Sequence, residues 1–323
     1  MSKTTERTFA KIAVAHFGLP DAPLRLILHR ATAIYRVVHP ATGQQYVLRL
    51  HHPSRHPIAC VQSELVYLKA ICDNTDLRVP EPMPTTDGQR LSVVTHDGEQ
   101  RFAALFKWVP GKHKHKLLAV KDATRLGIAL GKLHAFTAGW QPPDNFVRWD
   151  FAAEDALDLE KITHKSTGLS CLLTQEDLRD VAQAIAFSQA IIGALPNTPQ
   201  TYSLIHSDAN LSNFLHLPDQ AAILDFEVCS YGYFLYDIGR LAEEMEADAE
   251  KRQRLIEALL AGYGQHRALP TDVTAQVQAF SLLSVLDTLV WLCDQKSTAA
   301  QVFAHRDKLL GRLQQLLRNS SIV

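Results

Sequence analysis

Apolar positions change their spacing along the chain, and the change separates a strand-rich opening from a helix-rich remainder. Phe9, Ile12, Ala13 and Phe17 recur at helical spacing between Glu6 and Phe17, and Gly18 supplies a stop. Leu24–Leu28, Ile34–Val38 and Tyr46–Leu50 read as short strands, the last two joined by the turn Pro40-Ala41-Thr42-Gly43. Ile58, Val61, Leu65, Leu68 and Ile71 predict a helix over Pro57–Cys72, which Val79-Pro80-Glu81-Pro82 ends. Leu91–Thr95 and Phe102–Phe106 read as two more strands around His96-Asp97-Gly98-Glu99. Beyond Pro110-Gly111 the spacing is helical over Leu117–Phe136, Gln175–Leu195, Ile238–Met245, Arg252–Tyr263, Val273–Cys293 and Thr298–Leu317. Trp149–Ser170 matches no single pattern. The expectation is an α+β protein, with a sheet-bearing part over 1–109 and a mostly helical part over 110–323.

Composition narrows the function classes. With 323 residues, 46% hydrophobic and 21% charged, the chain can bury a sizeable core. A net charge of −1 gives no field that favours nucleic acid or an anionic membrane. No apolar run reads as long enough to span a bilayer, and Met-Ser-Lys-Thr-Thr-Glu-Arg has no secretory-type apolar stretch. The five cysteines are odd in number and form no C-x-x-C, so they suggest neither a disulfide framework nor a zinc site. These features point to the cytoplasm, without nucleic-acid or membrane partners.

The chemistry concentrates in Leu204–Asp237. His206, Asp208 and Asn213 form H-x-D-x-x-x-x-N, and two apolar runs around Pro218-Asp219-Gln220 then read as a hairpin that leads into Asp225-Phe226-Glu227. A hairpin brings its ends together, so Asn213 and Asp225 are expected side by side, where amide and carboxylate oxygens suit Mg²⁺. Asp208, just upstream, is placed to orient a hydroxyl. These are parts that phosphoryl transfer requires.

The two blocks, H-S-D-A-N-L-S-N and D-F-E, followed by Tyr236-Asp237-Ile238, resemble those of the aminoglycoside phosphotransferase and choline kinase superfamily, which has the two-lobed protein-kinase-like fold. The resemblance implies a small antiparallel-sheet lobe, a helical lobe, and ATP- and Mg²⁺-dependent transfer of a phosphoryl group to a hydroxyl of a small molecule such as an amino sugar or amino alcohol. Carried over by motif, Asp208 is the catalytic base, Asn213 and Asp225 are the metal ligands, His206 braces the loop, and Asp237 is structural. Arg49 stands where the family usually has lysine, and Glu64 of the following helix is its expected ion-pair partner. Phe106, Lys107, Trp108 and Val109 are the expected adenine border and hinge. The first hairpin tip, Arg30-Ala31-Thr32-Ala33, lacks the glycines of protein kinases but keeps small residues.

Other residues have blander readings beside the functional one. Glu243, Glu244, Glu246, Asp248 and Glu250 could hold a cationic acceptor, but a wet helix face is the expectation. Asp287 and Trp291 share a face at i, i+4, and the preferred reading is a surface aspartate and a core tryptophan. His134 reads as packed or capping, and the basic run Lys112–Lys116 as solvated. A stress-type Ser/Thr protein kinase and a non-catalytic nucleotide-binding protein are the alternative functions. An intact Asp208, Asn213 and Asp225 argues against the latter.

Overall fold

The computed structural model describes residues 3–29, 32–114, 118–150, 173–245, 248–294 and 299–320, which fall into two compact units. The first comprises Met1–Lys112, Trp140–Arg148 and Ala222–Glu227, and the second comprises His113–Gly139, Trp149–Ala221 and Val228–Val323. The Arg30-Ala31 part of the hairpin tip, His115 and Lys116 of the basic run, the stretch 151–170 and Glu246 lie outside the described residues.

In the first unit, α1 (Lys3–His16) precedes β1 (Leu24–His29), β2 (Thr32–Val38) and β3 (Gln45–His51); α2 (Ile58–Asn74) follows, then β4 (Ser92–His96) and β5 (Glu99–Lys107). The strands form one antiparallel sheet in the order β1-β2-β3-β5-β4. Side chains alternate across a strand, so Ala33, Tyr35 and Val37, Tyr46, Leu48 and Leu50, and Ala103 and Leu105 all face one way. They form a core with Phe9, Ala10, Ala13 and Val14 of α1. Arg101, on that same face, is buried with Glu6 of α1, its Nη2 2.9 Å from Oε1. The same alternation sends Arg49 to the opposite face, in register with Ile34 and Ala104. Gly18 stops α1 with φ at +75°, as its place in the sequence predicts.

The second unit holds α3 (Val120–Gly139), α4 (Gln175–Ile192), α5 (Phe234–Glu243), α6 (Ala249–Tyr263), α7 (Val273–Asp294) and α8 (Ala299–Ser320). Val181 and Ile185 of α4, Phe234 and Tyr236 of α5, Phe280, Leu283 and Leu286 of α7, and Leu309 and Leu313 of α8 share its core. Val273–Trp291 is a 19-residue run long and apolar enough to cross a membrane, contrary to the reading that no such run exists. Most of it is covered by the helices around it, which accounts for its apolar character. Helices α3 and α6 meet main chain to main chain. A Cβ on Gly127 would stand 1.9 Å from the Leu259 carbonyl oxygen, and one on Gly262 would stand 2.1 Å from that of Thr124. Lys114 of the basic run is not merely solvated, because its Nζ lies 2.7 Å from the buried Asp122 carboxylate.

Short strands complete the fold. β6 (Tyr202–Ile205) and β9 (Ser230–Tyr233), neither legible beforehand, pair antiparallel. β7 (Phe214–His216) and β8 (Ala221–Ile223) make the expected hairpin, its turn closed by Leu217 N–H donating to the Gln220 carbonyl at 2.9 Å. Helix α5 starts four residues before Ile238, because Phe234 N–H is anchored on the Thr201 carbonyl at 3.0 Å.

Candidate active site

The loop between β6 and β7 is shaped from beneath by one carboxylate. Asp237, in the first turn of α5, is wholly buried. Its Oδ2 accepts from His206 N–H at 2.7 Å and lies 3.0 Å from His134 Nε2, and its Oδ1 accepts from Ser207 N–H at 2.9 Å. Ser207 adopts φ of +68°, a left-handed conformation costly for a residue with a side chain. The bond from its N–H, and a 2.6 Å contact between the Ser207 and Ser230 hydroxyls, hold it there. His134 is a packed core residue, as expected, with Nδ1 3.1 Å from the Tyr263 hydroxyl. Burial is the main cause that presses it below the ordinary imidazole range, against the bond to Asp237. His206 braces the loop by accepting the Asp208 N–H on Nδ1 at 3.3 Å.

Asp208 emerges from this platform with its side chain 38% exposed. Asn213 Nδ2 donates to Asp208 Oδ2 at 2.9 Å and to the Asp208 carbonyl at 2.8 Å, and Asn210 Nδ2 donates to Oδ1 at 2.7 Å. The amide nitrogen of Asn213 is thereby engaged, which orients its oxygen away from Asp208. Arg240, not singled out from the sequence, stands with Nη2 3.6 Å from Asp208 Oδ1. Burial works against its charge, but Glu243, Glu244 and Asp208 outweigh it, so Arg240 is held firmly protonated. The sequence signal was its position three residues after Asp237, on the same helix face.

The acidic run is a wet face at Asp248 and Glu250, as expected, but not at Glu243 and Glu244. Glu243 is buried between Arg240, at 2.9 Å, and Arg312. Glu244 Oε2 accepts Leu211 N–H at 2.9 Å and so supports the same loop. Asp248 caps α6, accepting from Lys251 N–H at 2.8 Å. The reading of Asp287 and Trp291 is reversed. Trp291 is 56% exposed. Asp287 lies against Tyr236, whose hydroxyl is 3.5 Å from Oδ2, and burial pushes its carboxyl up.

The other predicted residues gather in the first unit. Arg49 is buried, with Nη1 2.6 Å from Glu64 Oε1, so the expected pair is present. Its Nη2 lies 2.6 Å from Glu227 Oε2 and 3.5 Å from Asp225 Oδ1, and the guanidinium stacks 5.6 Å from the Phe106 ring. Glu227 had no role assigned from the sequence. Burial alone would raise its carboxyl, but the His56 hydrogen bond and Arg49 hold it well below the usual carboxylate range. Asp225 has φ of +62° and a side chain 53% exposed. Asp225 and Asn213 belong to different units, and each is placed here within its own. Lys107 N–H donates to the Glu81 carbonyl at 2.9 Å and its Nζ lies 2.6 Å from the Glu81 carboxylate. Trp108 N–H donates to the Gln45 carbonyl at 3.1 Å, its ring lies under Arg36, and Val109 beside it is half-buried.

Comparison with known proteins places this geometry. The family model described as "Phosphotransferase enzyme family" matches residues 24–273. Amicoumacin kinase of Bacillus subtilis (strain 168) is 22% identical over 232 residues, covering 71% of this chain and 65% of that protein. The chain spans just under two thirds of the length of the first curated relatives it matches, 65% and 64%. Among solved structures, a microcompartment-associated aminopropanol kinase superposes with a TM-score of 0.77 at 24% identity, covering 96% of this chain and 95% of its own. An amicoumacin kinase in complex with AMP-PNP, Ca²⁺ and Ami gives 0.76 at 18% identity, covering 97% and 96%. The fold is therefore the expected protein-kinase-like α+β fold.

Proposed function

Because the chain belongs to the phosphotransferase enzyme family, we propose that it moves the terminal phosphoryl group of ATP, with Mg²⁺, to a hydroxyl of a small molecule. The observation that carries this reading is Asp208, a half-exposed carboxylate on a loop locked from below by Asp237 and from the side by Asn213. A carboxylate so placed can take the proton of an acceptor hydroxyl and orient its oxygen for attack on phosphorus. Arg240 supplies positive charge beside Asp208.

Arg49 is assigned to the phosphates, and Glu64 sets its direction. A guanidinium fork can hold two phosphate oxygens, where the usual lysine holds one position. Asn213 and Asp225 offer the hard oxygen donors that a Mg²⁺ ion prefers, and Asp225 is exposed enough to present its carboxylate. The ion, when bound, neutralises charge on the phosphates. Phe106, Lys107, Trp108 and Val109 are assigned to the adenine. The N–H groups of Lys107 and Trp108 already serve the Glu81 and Gln45 carbonyls, so Val109 is the member we assign to the base edge. The acceptor class draws support from structural relatives named for aminopropanol and for amicoumacin.

The test is ADP release from ATP and Mg²⁺ across a panel of amino alcohols, amino sugars and other hydroxyl compounds, paired with calorimetric nucleotide titration. Acceptor-dependent ADP formation is expected, with nucleotide affinity that needs Mg²⁺ and Asp225. Equal affinity in the wild type and Asp225→Ala, with no acceptor-dependent turnover, would sink the reading.

A further inference from the structure

Beside Arg49 stands a group of side chains that the phosphotransfer reading does not use. His51 lies two residues beyond Arg49 at the end of β3, on the same face of the sheet. His56 precedes α2, and Glu227 follows Asp225-Phe226. His56 Nε2 is hydrogen-bonded to Glu227 Oε1, and the two imidazoles meet edge to face with centroids 5.0 Å apart. One ligand atom from each of His51, His56 and Glu227 lies within 4.8 Å of the other two.

Two independent observations say that this cluster is built for a cation. His51 is fully buried, yet neither of its ring nitrogens has a hydrogen-bond partner among the described residues. A buried imidazole left this way is costly unless something accepts its lone pair. The charge around it also fails to balance. With Asp225 assigned to Mg²⁺, Arg49 is one guanidinium between two carboxylates, those of Glu64 and Glu227. One negative charge remains in excess beside the two imidazoles, which a bound cation offsets.

We propose that His51, His56 and Glu227 form a Zn²⁺ site, distinct from the Mg²⁺ assigned to Asn213 and Asp225. Two imidazoles and one carboxylate are a donor set that Zn²⁺ takes readily, whereas Mg²⁺ prefers oxygen alone. Zn²⁺ bonds of about 2.0–2.1 Å in a tetrahedral shell put ligand atoms about 3.3 Å apart. His56 and Glu227, with side chains 12% and 21% exposed, can rotate to close the set around the fixed His51. On binding, the His56–Glu227 hydrogen bond gives way to two bonds to the ion, and any Nε2 proton leaves to solvent. Glu227 Oε2 stays on Arg49, and water fills the fourth position. The ion then ties the end of β3, the approach to α2 and Asp225-Phe226-Glu227 into one clamp around Arg49.

The experiment uses the full chain, freed of metal by chelation and titrated calorimetrically with Zn²⁺ without nucleotide, with Co²⁺ as spectroscopic probe. One strong site per chain is expected, with the intense visible bands of tetrahedral Co²⁺ and a Zn²⁺-dependent rise in the unfolding temperature. His56→Gln should weaken Zn²⁺ binding at least tenfold, since loss of even an outer-shell partner brings about 10–100-fold, while its circular dichroism matches wild type. His51→Phe should abolish the Co²⁺ bands, and if that variant does not fold, His56→Gln carries the test. Undiminished Zn²⁺ binding in His56→Gln, or an octahedral Co²⁺ spectrum, overturns the proposal. Asp225→Ala separates it from the phosphotransfer reading, because that change should remove Mg²⁺-nucleotide binding and leave the Co²⁺ spectrum intact.

Discussion

Replacing Asp237 by asparagine tests how much one buried carboxylate contributes to the loop that carries Asp208. The two side chains have the same shape, so no cavity forms. The change is in polarity. Asp237 accepts from His206 N–H at 2.7 Å and Ser207 N–H at 2.9 Å, and lies 3.0 Å from His134 Nε2. An asparagine amide can turn its oxygen to His206 and His134, but its NH₂ then confronts Ser207 N–H. One charge-assisted bond is lost, worth about 1.5–3 kcal/mol, and a buried N–H is left unsatisfied at about 1–3 kcal/mol. The expected loss is therefore about 2.5–6 kcal/mol. Ser207, held at φ +68°, is the residue that should relax first, since its conformation alone costs on the order of 1–3 kcal/mol. Urea denaturation followed by circular dichroism gives the stability change, and amide hydrogen exchange reads His206 and Ser207 directly. A loss below about 1 kcal/mol, with both amides as protected as in wild type, would refute the argument.

Three other outcomes follow from the geometry. Asp208→Asn keeps the shape, can accept from only one of Asn210 and Asn213, and removes the base, so turnover should fall about 10²–10⁴-fold while nucleotide affinity stays within a few-fold; near wild-type turnover would refute the role of Asp208 as base. Arg49→Met and Glu64→Gln should be non-additive in turnover, because at 2.6 Å either change already breaks the pair; a double variant whose loss equals the product of the single losses would contradict this. His134 is kept below its ordinary value of 6.5, chiefly by burial, so the unfolded chain binds its proton first. Its contribution to stability is complete above pH 6.5 and is lost as pH falls below that value, with a slope of at most about 1.4 kcal/mol per pH unit. His134→Gln should flatten the denaturation midpoint against pH in that window, and an unchanged profile would exclude the assignment.

What the sequence disclosed and what it hid divide along a physical line. Period-2 alternation in β2 and β3 is a local property, and it sufficed to show both strands. The same holds for the Gly18 stop and for α2 with Glu64. The strands β6 and β9 have four residues each, too few for any period to show, and Tyr202 and Tyr233 find each other only through the fold. Glu243 looks like any helix-surface glutamate until Arg312, far along the chain, closes on it. Arg240 and Glu227 were passed over for the same reason, since their partners Asp208 and Arg49 are distant in sequence. Trp291 and Asp287 exchanged their expected places because helical spacing alone does not say which residues of a shared face its neighbours cover.

The crossing of α3 and α6 bears on how this protein can change over generations. At Gly127 and Gly262 the obstacle to any larger residue is the neighbouring main chain, not a side chain. A clash with a side chain can be relieved by trimming the neighbour; a clash with a carbonyl oxygen cannot, because every residue type carries one. No second substitution on the facing helix can therefore make room for the first, and neither glycine has a permissive partner to wait for. Helices α3 and α6 also carry His134 and Tyr263, which meet at 3.1 Å above Asp237. The joint beneath Asp208 is therefore closed to stepwise drift, while exposed positions such as Trp291 remain free to vary.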